Sequence, residues 1–167
     1  MLERVGDKID LFERPVGRSL FLGDIENLAW DRKTNTLLPH KVELVSQAVN
    51  EMLAPYEVQE IIASSKFFAE AVWFHWGRNA RRLCSSGPDA ADLELMKVIT
   101  SEDLPTRFTT VFIGSGDGIF AKPASRLASQ GVQVITLTGT GALSKKLKLA
   151  TNQSIPLFNE FSEKANN

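Results

Sequence analysis

Short apolar runs alternate along the chain with segments whose apolar residues recur at helical spacing. Apolar runs of four to eight residues bounded by Gly, Pro or Ser predict buried strands. Apolar residues repeated every three or four positions predict a helix with one buried face. Val42, Val45 and Val49 follow this second pattern, and they predict a helix over residues 42–53.

These two patterns divide most of the chain into alternating elements. The predicted strands cover residues 19–24, 57–65, 80–85, 107–114, 132–138 and 154–158, and the predicted helices cover residues 42–53, 66–76, 87–99, 118–129 and 142–150. Strands that alternate with helices form a mainly parallel sheet covered on both faces. We therefore predict an α/β fold, a three-layer sandwich with a central mainly parallel sheet.

The domain organisation predicted from this pattern is simple. Residues 19–158 form one domain, residues 1–18 an N-terminal arm, and residues 159–167 a polar C-terminal tail. A chain of 167 residues is long enough for one domain with a substantial core.

Charge and cysteine content narrow the class of protein. The formal net charge is −1, so no overall basic field indicates a nucleic-acid partner, although a local basic face remains compatible with this value. One cysteine excludes an internal disulfide framework and suits a reducing compartment. No apolar run approaches the length of a membrane span, and the first residues lack the apolar core of a secretory signal. We expect a cytoplasmic protein that does not contact a membrane.

The stretch VFIGSGDGIF, residues 111–120, ends a predicted strand in a glycine-rich turn. Such a turn can bind phosphate or hold a metal-binding carboxylate. Gly114 and Gly116 match the first two glycines of a dinucleotide-binding turn, but Ile119 occupies the third place and Asp117 would repel a pyrophosphate. A nucleotide-binding Rossmann-like enzyme is therefore the weaker of the two interpretations.

Acidic residues follow three of the predicted strands at the points where those strands end. Asp24 ends the first strand, Asp89 and Asp92 follow the third, and Asp117 follows the fourth. The carboxyl ends of parallel strands meet at one edge of the sheet, where function concentrates. Crowded carboxylates repel each other, and a divalent cation removes that cost. Oxygen ligands without His or Cys favour Mg²⁺ or Mn²⁺, so we predict a site for one of these cations.

Four segments resemble one known family, the NYN domains of the PIN-like ribonuclease superfamily. They are FLGDIENL at 21–28, SSGPDAADLELM at 85–96, the segment 111–138 around SGDG, and ALSKKLKLATNQSIPLF at 142–158. The resemblance covers about residues 19–158. It implies a PIN-like α/β sandwich whose acidic pocket binds Mg²⁺ or Mn²⁺ and cleaves RNA.

The resemblance also assigns roles to individual residues. Asp24, Asp92 and Asp117 match the family's metal-binding acids, and Asp89 is an alternate or additional ligand. Asn27 matches the polar residue beside the first acid. The implied function is metal-dependent hydrolysis of RNA phosphodiester bonds, with these five residues in the catalytic site.

Three further residues are candidates for contact with the substrate. Ser115 neighbours the third acid and would position water or phosphate, as Asn27 would. Lys145 and Lys146 begin a predicted helix near the acidic edge and would hold an RNA phosphate, although lysines on a helix are more often a solvated face. Ile119 stands where many relatives carry a second acid. The alternative function is therefore a catalytically weak or inactive module that binds RNA or protein.

Each of these residues also has a plain structural interpretation. The acids could be solvated strand ends or residues of helix N-termini. Glu26 is adjacent to the first acid but would point across the sheet if the first strand continued, so we rank it second to the other acids. Trp30 lies in a predicted loop where it could stack on RNA. The aromatic residues of 67–76 could also stack on bases, but core packing or a homodimer contact is the stronger prediction.

Overall fold

The computed structural model describes residues 17–159, so most of the predicted arm and tail lies outside the described residues. The strands are β1 (Ser19–Asp24), β2 (Trp30–Asp31), β3 (Thr36–Leu37), β4 (Val58–Ser65), β5 (Arg81–Ser85), β6 (Thr110–Gly114), β7 (Gln133–Thr138) and β8 (Gln153–Pro156). The helices are α1 (Ile25–Ala29), α2 (Pro39–Leu53), α3 (Ala69–Trp76), α4 (Ala90–Ser101), α5 (Leu104–Arg107), α6 (Ala121–Ser129) and α7 (Lys145–Ala150). A short 3₁₀ helix, Gly118–Phe120, precedes α6.

Six strands form one parallel sheet in the order β5-β4-β1-β6-β7-β8. The chain starts in the middle with β1, builds outward through β4 and β5, and returns to build the other half from β6. Such a doubly wound sheet opens a crevice where the winding direction reverses, at the carboxyl ends of the strands. Here the reversal lies between β1 and β6. The predicted α/β class with a central parallel sheet is confirmed.

The sheet is buried on both faces, because side chains of successive strand residues point to opposite sides. Leu20 and Leu22 of β1 pack in one core with residues of α4, α5, α6 and α7. Phe21, which lies between them, packs in a second core with residues of α1, α2 and α3. Two helical layers therefore cover one sheet, as in a three-layer sandwich. None of the helices in residues 17–159 is long and apolar enough to cross a membrane.

The six predicted sheet strands and the cores of the predicted helices are present, and the main differences lie at helix starts. Helix α2 begins at Pro39, whose fixed φ suits the first turn. The segment before α3 forms a turn, closed by the bond from the Phe68 N–H to the Ser65 carbonyl (3.2 Å), so this helix starts three residues later than predicted. The apolar pattern gave no signal for α1, α5 or the antiparallel β2–β3 hairpin.

The hairpin is held by a buried carboxylate. Asp31 accepts hydrogen bonds from the backbone N–H and the hydroxyl of Thr34, and its other oxygen lies 2.6 Å from Lys41 Nζ on α2. The Lys41 contact, followed by the two Thr34 bonds, holds the pKa of Asp31 well below its usual range. Trp30 and Arg32, which flank Asp31, are thereby fixed beside the carboxyl end of β1.

A polar network ties α2, α3 and β4 together on the second core. The Arg78 guanidinium binds the Glu60 carboxylate, which also accepts the indole N–H of Trp76 at 2.9 Å. Arg78 also donates to Ser46 of α2 and lies over the Trp76 ring, 4.7 Å from its centroid. Trp76 in turn stacks on Phe21 of β1.

Replacing Arg78 with Ala should lower the free energy of unfolding by about 2 kcal/mol, because the half-buried Glu60 carboxylate would lose its charge-assisted hydrogen bonds from the guanidinium. Urea titration of the two proteins measures the change. Arg81→Ala is the matched control, since Arg81 pairs with Glu102 on the surface and should contribute less than about 1 kcal/mol. Equal losses in both variants would contradict a special role for the Arg78 network.

Candidate active site

A cleft of about 560 Å³ opens at the carboxyl edge of the sheet, beside the crevice between β1 and β6. Its lining residues come from the end of β1 with α1, from the β2–β3 hairpin, from the end of β4, from the start of α4, and from the loops after β6 and β7. They are Asp24, Glu26, Asn27, Trp30, Arg32, Ser65, Gly87, Asp89, Ala90, Ala91, Asp92, Asp117, Thr140, Gly141 and Ala142.

Asp24 and Asp92 form a buried carboxyl pair in this cleft. Each residue is 6% exposed, and each carboxyl group influences the pKa of the other. Burial raises the pKa of Asp24 well above its usual range, and the contact with Asp92 raises it further. Burial also raises the pKa of Asp92. Two adjacent carboxyl groups favour a state in which they hold one proton between them, because two adjacent negative charges repel strongly. The Oδ1 atom of Asp92 is buried without a hydrogen-bond partner.

Asp117 and Asp89 lie at the exposed rim of the same cleft. The negative charges of both raise the pKa of Asp92 further. Asp117 Oδ1 accepts the Ile119 N–H at 2.9 Å and so caps the 3₁₀ helix. Asp89 occupies the N-cap position of α4 in the left-handed region, at φ 54°, but its side chain makes no capping bond. The structure thus brings all four predicted acids to one cleft.

Glu26, which the sequence ranked second to the other acids, also lines this cleft. The first strand does not continue past Asp24. Asp24 instead caps α1 by accepting the Asn27 N–H at 3.2 Å, and the chain turns into a short helix. Glu26 then faces the end of β4, where its carboxylate accepts the backbone N–H and the hydroxyl of Ser65 at 2.7 and 2.8 Å.

Asn27 and Ser115 contribute mainly to the shape of the site. Asn27 Oδ1 accepts the Gly116 N–H at 3.0 Å, which joins α1 to the turn after β6. Ser115 is fully buried, does not line the cleft, and accepts the Asp117 N–H on its hydroxyl at 3.2 Å. The structure therefore places Ser115 where it orients the Asp117 backbone, and Asn27 where it both lines the cleft and fixes the turn.

The glycine-rich turn is packed against protein, which argues against the phosphate interpretation. A Cβ on Gly116 would lie 2.6 Å from the Ala142 carbonyl oxygen, and one on Gly118 would lie 2.8 Å from the Ser144 hydroxyl. The N–H groups of Gly116, Asp117 and Ile119 are all bonded to side chains. The glycines therefore permit close approach of a neighbouring loop, and these three amides are not available to a pyrophosphate.

The predicted phosphate-binding lysines lie elsewhere. Lys145 and Lys146 are exposed on α7 and are not among the residues that line the cleft. Arg32 does line it, and its guanidinium lies close to Gly141, which also lines the cleft. The local sequence contains a signal for the hairpin that carries Arg32: an Asp three residues before a Thr, the pattern of an Asx turn. Asp24 followed by Asn27 similarly indicates a helix start.

The donor set fits a hard divalent cation in its chemistry but is not preassembled. Within residues 17–159, no group of three or more His, Cys, Asp or Glu side chains has the arrangement of a metal site. The residues do supply two adjacent carboxyls, one unpartnered buried oxygen, and further carboxylates at the rim. Mg²⁺ commonly binds through one or two carboxylates with several waters, so this set is sufficient for it.

No protein-family model matches the chain, and no curated protein matches its sequence. The structure is similar to the crystal structure of a protein of unknown function from Vibrio parahaemolyticus. The two share 12% sequence identity and a TM-score of 0.58, and the match covers 86% of this chain and 94% of that chain. At this identity the likeness shows the fold alone.

Asp24→Asn should stabilise the protein at neutral pH by about 1 kcal/mol, the usual size of a stabilising substitution. The pKa of Asp24 is raised in the folded state, so folding favours the protonated pair, and stability is lost as pH rises above the ordinary carboxyl pKa. The asparagine side chain would keep the hydrogen bonds without the charge. The gain should shrink as pH falls towards about 4.

Urea titrations at several pH values, without divalent cations, measure this gain. Asp103→Asn is the matched control, because Asp103 lies outside the cleft and tolerates Asn at its left-handed φ of 48°. A gain for Asp24→Asn that did not change with pH would contradict the shared proton.

Proposed function

We propose that this protein is a metal-dependent ribonuclease that hydrolyses RNA phosphodiester bonds in the acidic cleft. The observation that carries the proposal is the buried Asp24–Asp92 pair, which faces an open cleft and leaves Asp92 Oδ1 without a partner. Carboxylates buried for structural reasons are normally paired with a cation. After burial, the largest influences on the pKa of Asp92 come instead from other acids, namely Asp24, Asp117, Asp89 and Glu26.

Asp24 and Asp92 would hold Mg²⁺ or Mn²⁺, with Asp117 and Asp89 completing the acidic surroundings. When bound, such a cation supplies a Lewis acid that lowers the pKa of a water and stabilises charge on a phosphate. Cation binding requires ionised carboxylates, so it competes with protonation of the pair. Asn27 keeps Asp24 and the turn after β6 in fixed relation through its two hydrogen bonds.

Arg32 supplies the positive charge that an RNA phosphate needs at the rim of an otherwise acidic cleft. An Arg guanidinium binds phosphate oxygens through paired N–H donors, and it remains charged at all physiological pH values. The hairpin anchored by Asp31 and Lys41 holds it in place. Arg32 would therefore orient the strand, while the carboxylates act on the reacting phosphate.

The resemblance of residues 19–158 to the NYN domains supports the same activity. The three residues that match the family's metal-binding acids, Asp24, Asp92 and Asp117, all line one cleft. The doubly wound sheet is compatible with that family. A single cysteine that forms no disulfide is consistent with action in the cytoplasm, where cellular RNA is found.

A module that binds RNA or protein without cutting is the second candidate, and Ile119 favours it. Ile119 stands where many NYN relatives carry another acid, and here its side chain packs against the first core. Asp117 also uses one oxygen to cap the 3₁₀ helix. The site therefore lacks one acid, and one oxygen of Asp117 is already hydrogen-bonded to the Ile119 N–H. Such a site would bind a cation less tightly.

Asp92→Asn and Asp117→Asn should each reduce RNA cleavage on the order of 100-fold or more, since each removes charge from the reacting centre. The assay uses labelled single-stranded and structured RNA with Mn²⁺, Mg²⁺ or EDTA. Asp103→Asn, outside the cleft, should cut at the normal rate. RNA that is bound but left intact by the unmodified protein would favour the binding module, and equal cutting by all variants would indicate a contaminant.

Mn²⁺ should also stabilise the folded protein at neutral pH, by about 2.7 kcal/mol at a concentration about 100 times its Kd. Thermal unfolding with and without Mn²⁺ measures this effect independently of activity. Asp92→Asn should abolish most of the stabilisation by Mn²⁺. The substitution replaces the negative carboxylate, whose Oδ1 has no hydrogen-bond partner, by a neutral amide that binds a cation weakly. A stabilisation that persisted in Asp92→Asn would place the cation elsewhere.

A further inference from the structure

Three aromatic rings connect the acidic cleft to the protein surface. Trp30 lines the cleft, and its ring lies 5.8 Å from that of Phe68, centroid to centroid. Phe68 in turn lies 4.7 Å from the ring of Phe67. Phe67 is 87% exposed, which is unusual for a large apolar side chain in contact with other rings.

The backbone that carries Phe67 is held by hydrogen bonds on both sides. Ser65 donates its N–H and its hydroxyl to Glu26, and the next residue, Lys66, donates its N–H to the Ser85 carbonyl at 2.9 Å. Phe68 closes the turn and packs against the second core. Phe67 is therefore presented to solvent by ordered structure, at a small distance from the cleft.

The ring geometry leaves flat surfaces open. Phe68 meets Trp30 at an interplanar angle of 86° and Phe67 at 88°, so both contacts are edge-to-face. An edge-to-face contact occupies at most one face of each ring; Phe67 is 87% exposed and Trp30 lines the cleft, so part of each outer ring is accessible. Such rigid, open aromatic faces are the surfaces on which unpaired bases stack.

Positive charges flank the two outer rings. Lys66 is exposed beside Phe67, and it lines a shallow depression of about 690 Å³ together with Arg82. Arg32 follows Trp30 at the cleft rim. Glu70 is the acid among the residues that line the depression. Aromatic faces bordered by cations match a strand of stacked bases with its phosphates.

We propose that Trp30 and Phe67 are base-stacking positions for single-stranded RNA that extends out of the cleft, with Phe68 as the residue that positions both rings. This inference rests on the proposed ribonuclease function and specifies its substrate. A duplex keeps its bases paired and stacked internally, so it cannot use these rings. The substrate class is therefore unpaired RNA.

The experiment compares RNA binding by Phe67 variants in an Asp117→Asn background with Mg²⁺, where cleavage should be slower by about 100-fold or more. Phe67→Ala should weaken binding of a single-stranded oligonucleotide about 5-fold or more, and Phe67→Trp should preserve it. The effect of Phe67→Ala should vanish on an abasic strand of the same length and on a duplex. Leu149→Ala, at an 88% exposed apolar residue, is the matched control and should not change binding.

The stacking proposal and the nuclease proposal can fail separately. Normal RNA cutting with a KM unchanged by Phe67→Ala would overturn the stacking site and leave the nuclease intact. Binding to bases that depends on Phe67, without any cutting, would support the stacking site and overturn the nuclease. No binding of single-stranded RNA would overturn the stacking site.

The exposed Phe67 and Phe74 could alternatively contact a second copy of this chain. Light scattering on the same variants tests whether the protein forms a dimer through this surface. A dimer that Phe67→Ala converts to a monomer would assign the surface to self-association and overturn the stacking proposal.

Discussion

Strand β1 pairs in parallel with β4 on one side and β6 on the other, and the position of the cleft depends on this arrangement. All six residues of β1 are buried, so its hydrogen bonds and its side chains are both fixed by neighbours. In this register Asp24 lies opposite Ala63 of β4, and Gly23 lies opposite Gly114 of β6. The acid at the end of β1 is thereby held beside the turn that carries the third acid.

The same burial that fixes β1 disfavours the ionised form of Asp24, the acid at its end. Asp24 and Asp92 have raised pKa values because water is largely excluded from them and because other carboxylates lie nearby. The fold tolerates this cost because two apolar cores and the Arg78 network support the sheet on either side. An unfavourable polar group retained at a crevice is a common sign of function, since packing alone would favour its replacement.

The end of β4 links the acidic cleft to the aromatic surface. Ser65 binds Glu26 of α1, and the turn that follows it carries Phe67 and Phe68. Phe68 then contacts Trp30 of the hairpin. Helix α1, the turn after β4 and the β2–β3 hairpin are all short segments, and they therefore fix one another at the rim of the cleft. Their mutual contacts compensate for the weak intrinsic stability of elements of this length.

The apolar pattern of the chain was enough to predict the sheet and the convergence of Asp24, Asp89, Asp92 and Asp117. Strong apolar runs define strands, and the parallel order then brings their carboxyl ends to one edge. Long-range contacts, which no local pattern reveals, decide which other side chains reach the cleft. Glu26 and Arg32 line it, whereas Ser115 and the lysines Lys145 and Lys146 of α7 do not. The five-residue helix and the two-residue strands carry too few residues for a periodic pattern, and contacts with distant residues stabilise them. Ile119 illustrates the same limit, because only the folded protein shows that its side chain packs against the core.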